Sequence, residues 1–231
     1  MTGMLASVEN LTEARQVLES GVDIIDLKSP SDGSLGALPL ETVREIVHVI
    51  GGQRPLSATI GDLIMEPQRV FEAVEAMAGT GVDYVKIGLF PGSDWWQTII
   101  GLSPLSKRVR LVAVLFGDLS PGLMQIAQLA EAGFSAAMLD TLDRRGGSLT
   151  QVCSLGYLRD FVAEAKAYGM LCGLAGSLRQ VDIPLLLTLK PDYLGFRGAL
   201  CLRDDRTASL DVNAVRTIRA AILSASVRSG H

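Results

Sequence analysis

The chain has 231 residues, 48% of them hydrophobic, and a formal net charge of −4, enough apolar material for a large core in a length that one α/β barrel commonly fills. No apolar run reaches the roughly 18 residues a membrane span needs, no basic tract marks a nucleic-acid partner, and no leader-like basic and apolar stretch opens the chain, so a cytoplasmic protein with neither membrane nor nucleic acid as a partner is expected. Cys153, Cys172 and Cys201 form no CxxC pair and suit a reduced compartment, while histidine only at His48 and His231 argues against a histidine triad, a His-rich zinc site or a histidine general base.

Short branched-apolar segments alternate with helical patterns at spacings of about 25–30 residues, the signature of a parallel sheet covered by helices. Met4–Val8 reads as the first strand, followed by a helix from Thr12 as N-cap to Ser20, stopped by Gly21. Asp23–Lys28 is the second strand. Its Pro/Ser/Asp/Gly loop, Ser29–Leu38, leads to a helix from Pro39 to Ile50. Leu56–Ile60 and a helix from Pro67 to Thr80 form the third unit, and Tyr84–Leu89 with a helical Ser93–Leu105 the fourth. Trp95 and Trp96 are read as cover for the barrel or as a contact between copies in a homo-oligomer. Strand five is Arg110–Phe116, with a helix from Pro121 to Ala132, and strand six is Ala136–Asp140, with the polar loop Thr141–Thr150 and a helix from Gly156 to Tyr168. Leu171–Leu174, a short helix Ile183–Leu189, Tyr193–Arg197 and a last helix from Asp211 to Ser224 complete eight units. With no interdomain linker, a single-domain (β/α)8 TIM barrel over residues 1–231 is expected. A doubly wound sheet would need fewer strands. Gly21-Val-Asp23 and Gly81-Val-Asp83 repeat one opening, as an internal duplication or as the ordinary glycine stop of a helix before a strand.

In such a barrel the active site lies at the C-terminal ends of the strands. The chemistry-bearing residues there are Asp26 and Lys28, Asp62, Lys86, Asp118, Asp140, Gly176 with Ser177, and Arg197 with Gly198. Asp26 and Lys28 lie two apart and share a strand face. Only five lysines stand against 16 arginines, and two of them, Lys28 and Lys86, occupy strands. If both point inward, each lowers the other's pKa from about 10.4, which suits a Schiff-base lysine with a lysine acid/base partner. The competing reading is a pair of structural Lys–Asp bridges. The glycine loops after strands seven and eight stand at the usual phosphate position of barrels, where Arg197 could add a bidentate contact. Asp62 and Asp118 are read evenly as site residues or helix N-caps. Arg144 and Arg145, near Asp140, are read as a solvated pair or a second phosphate contact. No Walker A motif, no GxGxxG fingerprint and no ligand spacing for a metal occurs, so no cofactor is expected.

Asp23-Ile-Ile-Asp-Leu-Lys28 with Asp32-Gly-Ser-Leu-Gly36, Ser57-Ala-Thr-Ile-Gly-Asp62 and Asp83-Tyr-Val-Lys-Ile-Gly-Leu89 carry a resemblance. So do Ala137-Met-Leu-Asp-Thr141, Leu174-Ala-Gly-Ser177 and Gly195-Phe-Arg-Gly-Ala199. In this order, over nearly the whole chain, the sequence resembles the (5-formylfuran-3-yl)methyl phosphate synthases of methanofuran biosynthesis. The resemblance implies a carbon–oxygen lyase acting on phosphates, which joins two molecules of glyceraldehyde 3-phosphate into a furan aldehyde phosphate with loss of phosphate and water. It implies Lys28 as the Schiff-base lysine and Lys86 as proton acceptor, with Asp26 and Asp140 positioning them and relaying protons. One departure is Arg144, which stands where the family often carries a lysine after the strand-six Asp-Thr; its charge can serve there, but it cannot exchange protons at ordinary pH. The rival expectations are another class I aldolase or an isomerase of a triose or sugar phosphate, and a non-catalytic phosphate-binding barrel.

Overall fold

The structure, a computed structural model, describes residues 1–91 and 95–228, with the backbone alone for Arg144 and residues 225–228. Eight strands, β1 Gly3–Val8, β2 Ile24–Leu27, β3 Leu56–Thr59, β4 Tyr84–Gly88, β5 Arg110–Phe116, β6 Ala136–Asp140, β7 Leu171–Leu174 and β8 Tyr193–Phe196, pair in sequence order into a closed barrel. All neighbours run parallel, including β8 with β1, where Leu5 faces Gly195. Around it lie α1 Leu11–Glu19, α2 Leu40–Ile50, α3 Pro67–Ala78, α4 Trp95–Leu102, α5 Met124–Glu131, α6 Leu149–Val152, α7 Leu155–Ala167, α8 Ile183–Leu187 and α9 Val212–Arg228. The expected (β/α)8 barrel is therefore present.

Three boundaries differ for local reasons. The cap of α1 is Asn10, not Thr12: the Asn10 side chain accepts from the Glu13 N–H at 2.9 Å. Helix α5 starts at Met124 instead of Pro121, since the Pro121 carbonyl is engaged by Tyr157 Oη at 2.7 Å. The polar loop after β6 carries the short α6, opened by Ser148 and Gln151. Of the predicted helix Ser93–Leu105, Ser93 and Asp94 lie outside the described residues. Trp95 and Trp96 are partly buried against the core, their rings edge-on at 5.9 Å.

Strand alternation sorts side chains into two cores. Met4, Ile25, Ala58, Val85, Ala113, Ala137, Cys172 and Leu194 face the helices. Leu5, Val112, Val114, Phe116, Ala136, Met138 and Tyr193 fill the barrel. The filling is lopsided. On the side of β1 to β4 the inner positions include Ser7, Asp26, Ser57, Thr59 and Lys86, all buried. The opposite side is apolar apart from Asp140 at the end of β6 and the hydroxyl of Tyr193. Tyr193 lies across the base, and Gly173 leaves its ring that space, since a Cβ there would overlap it.

The even-numbered strands open alike. Gly21, Gly81, Gly133 and Lys190 take positive φ at the preceding helix end (75°, 91°, 88° and 56°), the left-handed stop that glycine adopts without cost. Two residues on, the N–H groups of Asp23, Asp83, Ser135 and Asp192 donate to carbonyls of the preceding odd strand, at 3.0, 3.0, 2.9 and 2.8 Å. The three aspartates also accept the N–H of Met4, Leu56 and Cys172, at 2.8, 2.9 and 2.7 Å. The Gly-x-Asp repeat is thus a helix stop fused to a tie between paired strands, a geometry that accounts for its recurrence without invoking duplication.

Candidate active site

Strand β2 ends by turning Asp26 inward, and Lys28 follows one residue past the strand on the same face. Asp26 is fully buried and Lys86 is 1% exposed. The Lys86 ammonium donates to both Asp26 oxygens at 3.1 Å each. The serines of the flanking strands complete the cage: Ser7 Oγ donates to Oδ2 at 2.9 Å and Ser57 Oγ to Oδ1 at 2.6 Å. Burial works against the Asp26 charge, but Lys86, then Lys28, then the two serine hydroxyls outweigh it and hold the carboxyl below its ordinary value of 3.8. The two lysines are therefore not a simple mutually repelling pair, as expected from sequence. A carboxylate lies within the field of both.

Above this cage opens a cavity of about 470 Å³. Lys28, Ser7 and Asp140 line its floor, and Gly176, Ser177 and Gly198 its wall. Lys86 instead lines a small void below, with Ser57, Tyr84 and Tyr193. Burial pushes the Tyr193 phenol well above its usual range, with the neighbouring Cys172, Asp26, Tyr84 and Asp192 adding to the effect, so it stays neutral. Asp140 is buried and accepts the Thr141 N–H at 2.7 Å. Gly176, with φ at +101°, packs its backbone so close to Thr141 that a Cβ would fall 2.8 Å from the Thr141 methyl. Ser177 follows with φ at +48°. These turns bring the β7 loop to the cavity rim.

Two loops are braced by the aspartates read as site residues or caps. Asp62 caps no helix. It accepts the N–H groups of Ser34 and Leu35, at 2.8 and 2.7 Å, in the loop that follows Lys28. Leu35 is fully buried in the interior cluster, with Phe90 packed against it. Asp118 does the same for the β6 loop, accepting from Leu142 and Asp143.

Arg197 lines the cavity, but its guanidinium is spent inside the protein, contrary to the expected phosphate contact. It pairs with buried Glu13 and donates to the carbonyls of Ser7, Arg206 and Ala208. A buried cation needs such a partner, and Glu13 on α1 supplies it. The cations the sequence reading missed are Arg179 and Arg206, both on the cavity wall; Arg206 also donates to the Gly33 carbonyl at 3.1 Å. Arg145 is 91% exposed and paired to Asp143, and the side chain of Arg144 lies outside the described residues. The three cysteines are buried and unbridged, and burial raises each thiol, Cys172 to about 12 and Cys201 to about 11, leaving no ready thiolate nucleophile. Among the described residues no cluster could hold a metal ion, and no helix is long and apolar enough to cross a membrane.

The comparisons with known proteins decide the family. A family model described as 4-HFC-P synthase matches residues 4–219. The chain belongs to that family. A Methylorubrum extorquens protein is 41% identical over 221 residues, covering 94% of this chain and 92% of its own length. The (5-formylfuran-3-yl)methyl phosphate synthase of Methanopyrus kandleri is 37% identical, covering 88% of this chain and 91% of its own. Among solved structures, phosphoribosyl anthranilate isomerase from Thermotoga maritima aligns with a TM-score of 0.71 at 12% identity, covering 97% of this chain and 100% of its own, a likeness of fold alone. The family match spans the cage from Ser7 to Lys86 and the β7 and β8 loops, so the site described above lies within the part shared with the 4-HFC-P synthases.

Proposed function

We propose that this protein condenses two molecules of glyceraldehyde 3-phosphate into (5-formylfuran-3-yl)methyl phosphate, in methanofuran biosynthesis, through a Schiff base on Lys28. The observation that carries this reading is the placement of Lys28: an amine on the cavity floor, next to a buried carboxylate–ammonium pair. The Lys28 amine adds to a triose phosphate carbonyl, and loss of water gives an iminium that acidifies the adjacent carbon. The Asp26–Lys86 pair takes up that proton, and the resulting enamine adds to the aldehyde of a second glyceraldehyde 3-phosphate. Ring closure, loss of one phosphate and hydrolysis of the imine give the furan, and atom balance requires two waters released overall. Asp140, on the cavity floor, serves proton transfers to the oxygens.

Phosphate is assigned to the backbone of Gly176, Ser177 and Gly198, with Arg179 and Arg206 as the facing cations and Arg144 contributing charge from the β6 loop. In this assignment Arg197 acts through the loop it holds, not on the phosphate. The enzyme needs no cofactor for any of these steps.

The test is incubation with glyceraldehyde 3-phosphate and borohydride, followed by intact mass and peptide mapping, with an unreduced sample scanned for a furan chromophore. A triose adduct on Lys28 together with a furan aldehyde is expected, and Lys28→Ala should lose both. An adduct without furan would make this a different class I aldolase. A wild-type protein giving neither would return the site to an isomerase or a binding protein.

A further inference from the structure

The Asp26–Lys86 pair is separated from the cavity it is meant to serve. Asp26 is fully buried, and Lys86 lines the small void beneath, not the cavity. Ser7 reaches both sides. It lines the cavity, and its Oγ lies 2.9 Å from Asp26 Oδ2. Ser57 makes the matching bond to Oδ1 but faces the void. The position of Ser7 is fixed from behind, since its carbonyl accepts from Arg197 Nη1 at 3.2 Å. An ionised carboxylate only accepts hydrogen bonds, so the Ser7 hydrogen points at Asp26. The lone pairs of its oxygen are left free of that bond, able to accept from the cavity.

We propose that Ser7 is the proton relay between the cavity and the Asp26–Lys86 pair. The proposal rests on the Schiff-base reading. As Ser7 Oγ accepts the proton leaving the carbon next to the iminium, its own hydrogen passes to Asp26 Oδ2. A C–H bond of the substrate breaks, its electron pair stays on the substrate as the enamine, and one O–H bond is exchanged at Ser7. The net change is a neutral carboxyl at Asp26, with Ser7 and the Lys86 ammonium as they began. The charges that face Asp26 make this transfer self-matching. They are Lys28, just past the end of β2, and Lys86 from β4, with the neutral Tyr193 from β8. When the iminium on Lys28 becomes an enamine its positive charge disappears, and one of the two cations holding Asp26 ionised is lost as the proton arrives.

Ser7 acts through Asp26, so the test must separate relay from support. The full chain and the variants Ser7→Ala, Ser7→Thr and Ser57→Ala are given glyceraldehyde 3-phosphate in deuterium oxide. Borohydride trapping on Lys28, deuterium uptake at the adjacent carbon, and the steady-state rate are measured for each. Ser7→Ala should form the Lys28 adduct as the wild type does, with KM little changed. Its deuterium uptake and kcat should both fall by about 100-fold, the low end for loss of a positioned proton carrier. Ser7→Thr, which keeps a hydroxyl, should recover most of both. Ser57→Ala, which removes a bond to the same carboxylate away from the cavity, should lose far less uptake. If the alanine variant does not fold, Ser7→Cys fills the same space with a poor donor and should show the same loss. Normal deuterium uptake in the folded Ser7 variant would overturn the relay and leave Asp140 as the base, with the Schiff base standing. Failure of the wild type to form any adduct would overturn the Schiff-base reading and the relay with it.

Discussion

Asp26 and Lys86 each carry a charge in a volume closed to water, and the arrangement is tolerable only because every donor around the carboxylate is committed to it. Two bonds come from the ammonium and one from each serine. Removing one partner of a buried pair typically costs about 3–5 kcal/mol, because the other charge is stranded. The same cage sets a pH dependence whose sign follows from linkage. Asp26 has a folded-state value below its ordinary 3.8, so its contribution to stability is full above that value and is lost as pH falls through the lowered one. The difference in unfolding free energy between wild type and Asp26→Asn should therefore shrink as the pH is taken from about 5 downward. Chemical denaturation at a series of pH values reads this directly; a difference that stays constant to pH 2 would mean that Asp26 is not the titrating group.

At the scale of elements, the loops are placed by carboxylates that belong to their neighbours. Asp62, beyond β3, holds the loop that follows Lys28 and accepts the N–H of Leu35, which is fully buried in the interior cluster. Asp62→Ala leaves two partly buried N–H groups without an acceptor, each costing about 1–3 kcal/mol. The variant should melt several degrees lower. Its kcat/KM should fall by about tenfold or more through misplacement of the loop, with the Lys28 adduct still detectable. Full activity in a destabilised Asp62→Ala protein would show that the loop does not set the site. Much of this level was legible in the sequence. Strands β5, β6 and β7 have the expected bounds because charged residues or glycines mark their ends, and the shared face of Asp26 and Lys28 follows from a two-residue period. What escaped depends on contacts far apart in the chain. Helix α5 starts late because Tyr157 takes a carbonyl 36 residues away. The partner of Lys86 is 60 residues distant. Arg197 looked like an anion ligand until α1 brought Glu13 against it, 184 residues away. Ser7 gave no signal at all: a serine in a first strand reads as a solvent-facing position until the barrel closes on β2.

The molecule as a whole is divided more evenly than its site. The polar wall of β1 to β4 carries the cage, and the wall of β5 to β8, apolar except for Asp140 and the Tyr193 hydroxyl, supplies the packing against which it is held. Backbone bonds run around the whole base, and the aspartates that open β2, β4 and β8 add side-chain ties within the pairs β1–β2, β3–β4 and β7–β8. These ties indicate where the polypeptide can be opened. A break between Gly51 and Gly52, an exposed glycine pair between α2 and β3, falls between two tied pairs. A break at Gly21 falls inside one and releases Asp23 from Met4. Co-expressed segments 1–51 and 52–231 should associate into a soluble barrel that copurifies, whereas segments 1–20 and 21–231 should not. Equal recovery of both would mean that the ties are incidental to assembly. Success of the first split alone would make the two-strand unit the piece from which this chain can be taken apart, rejoined or grafted.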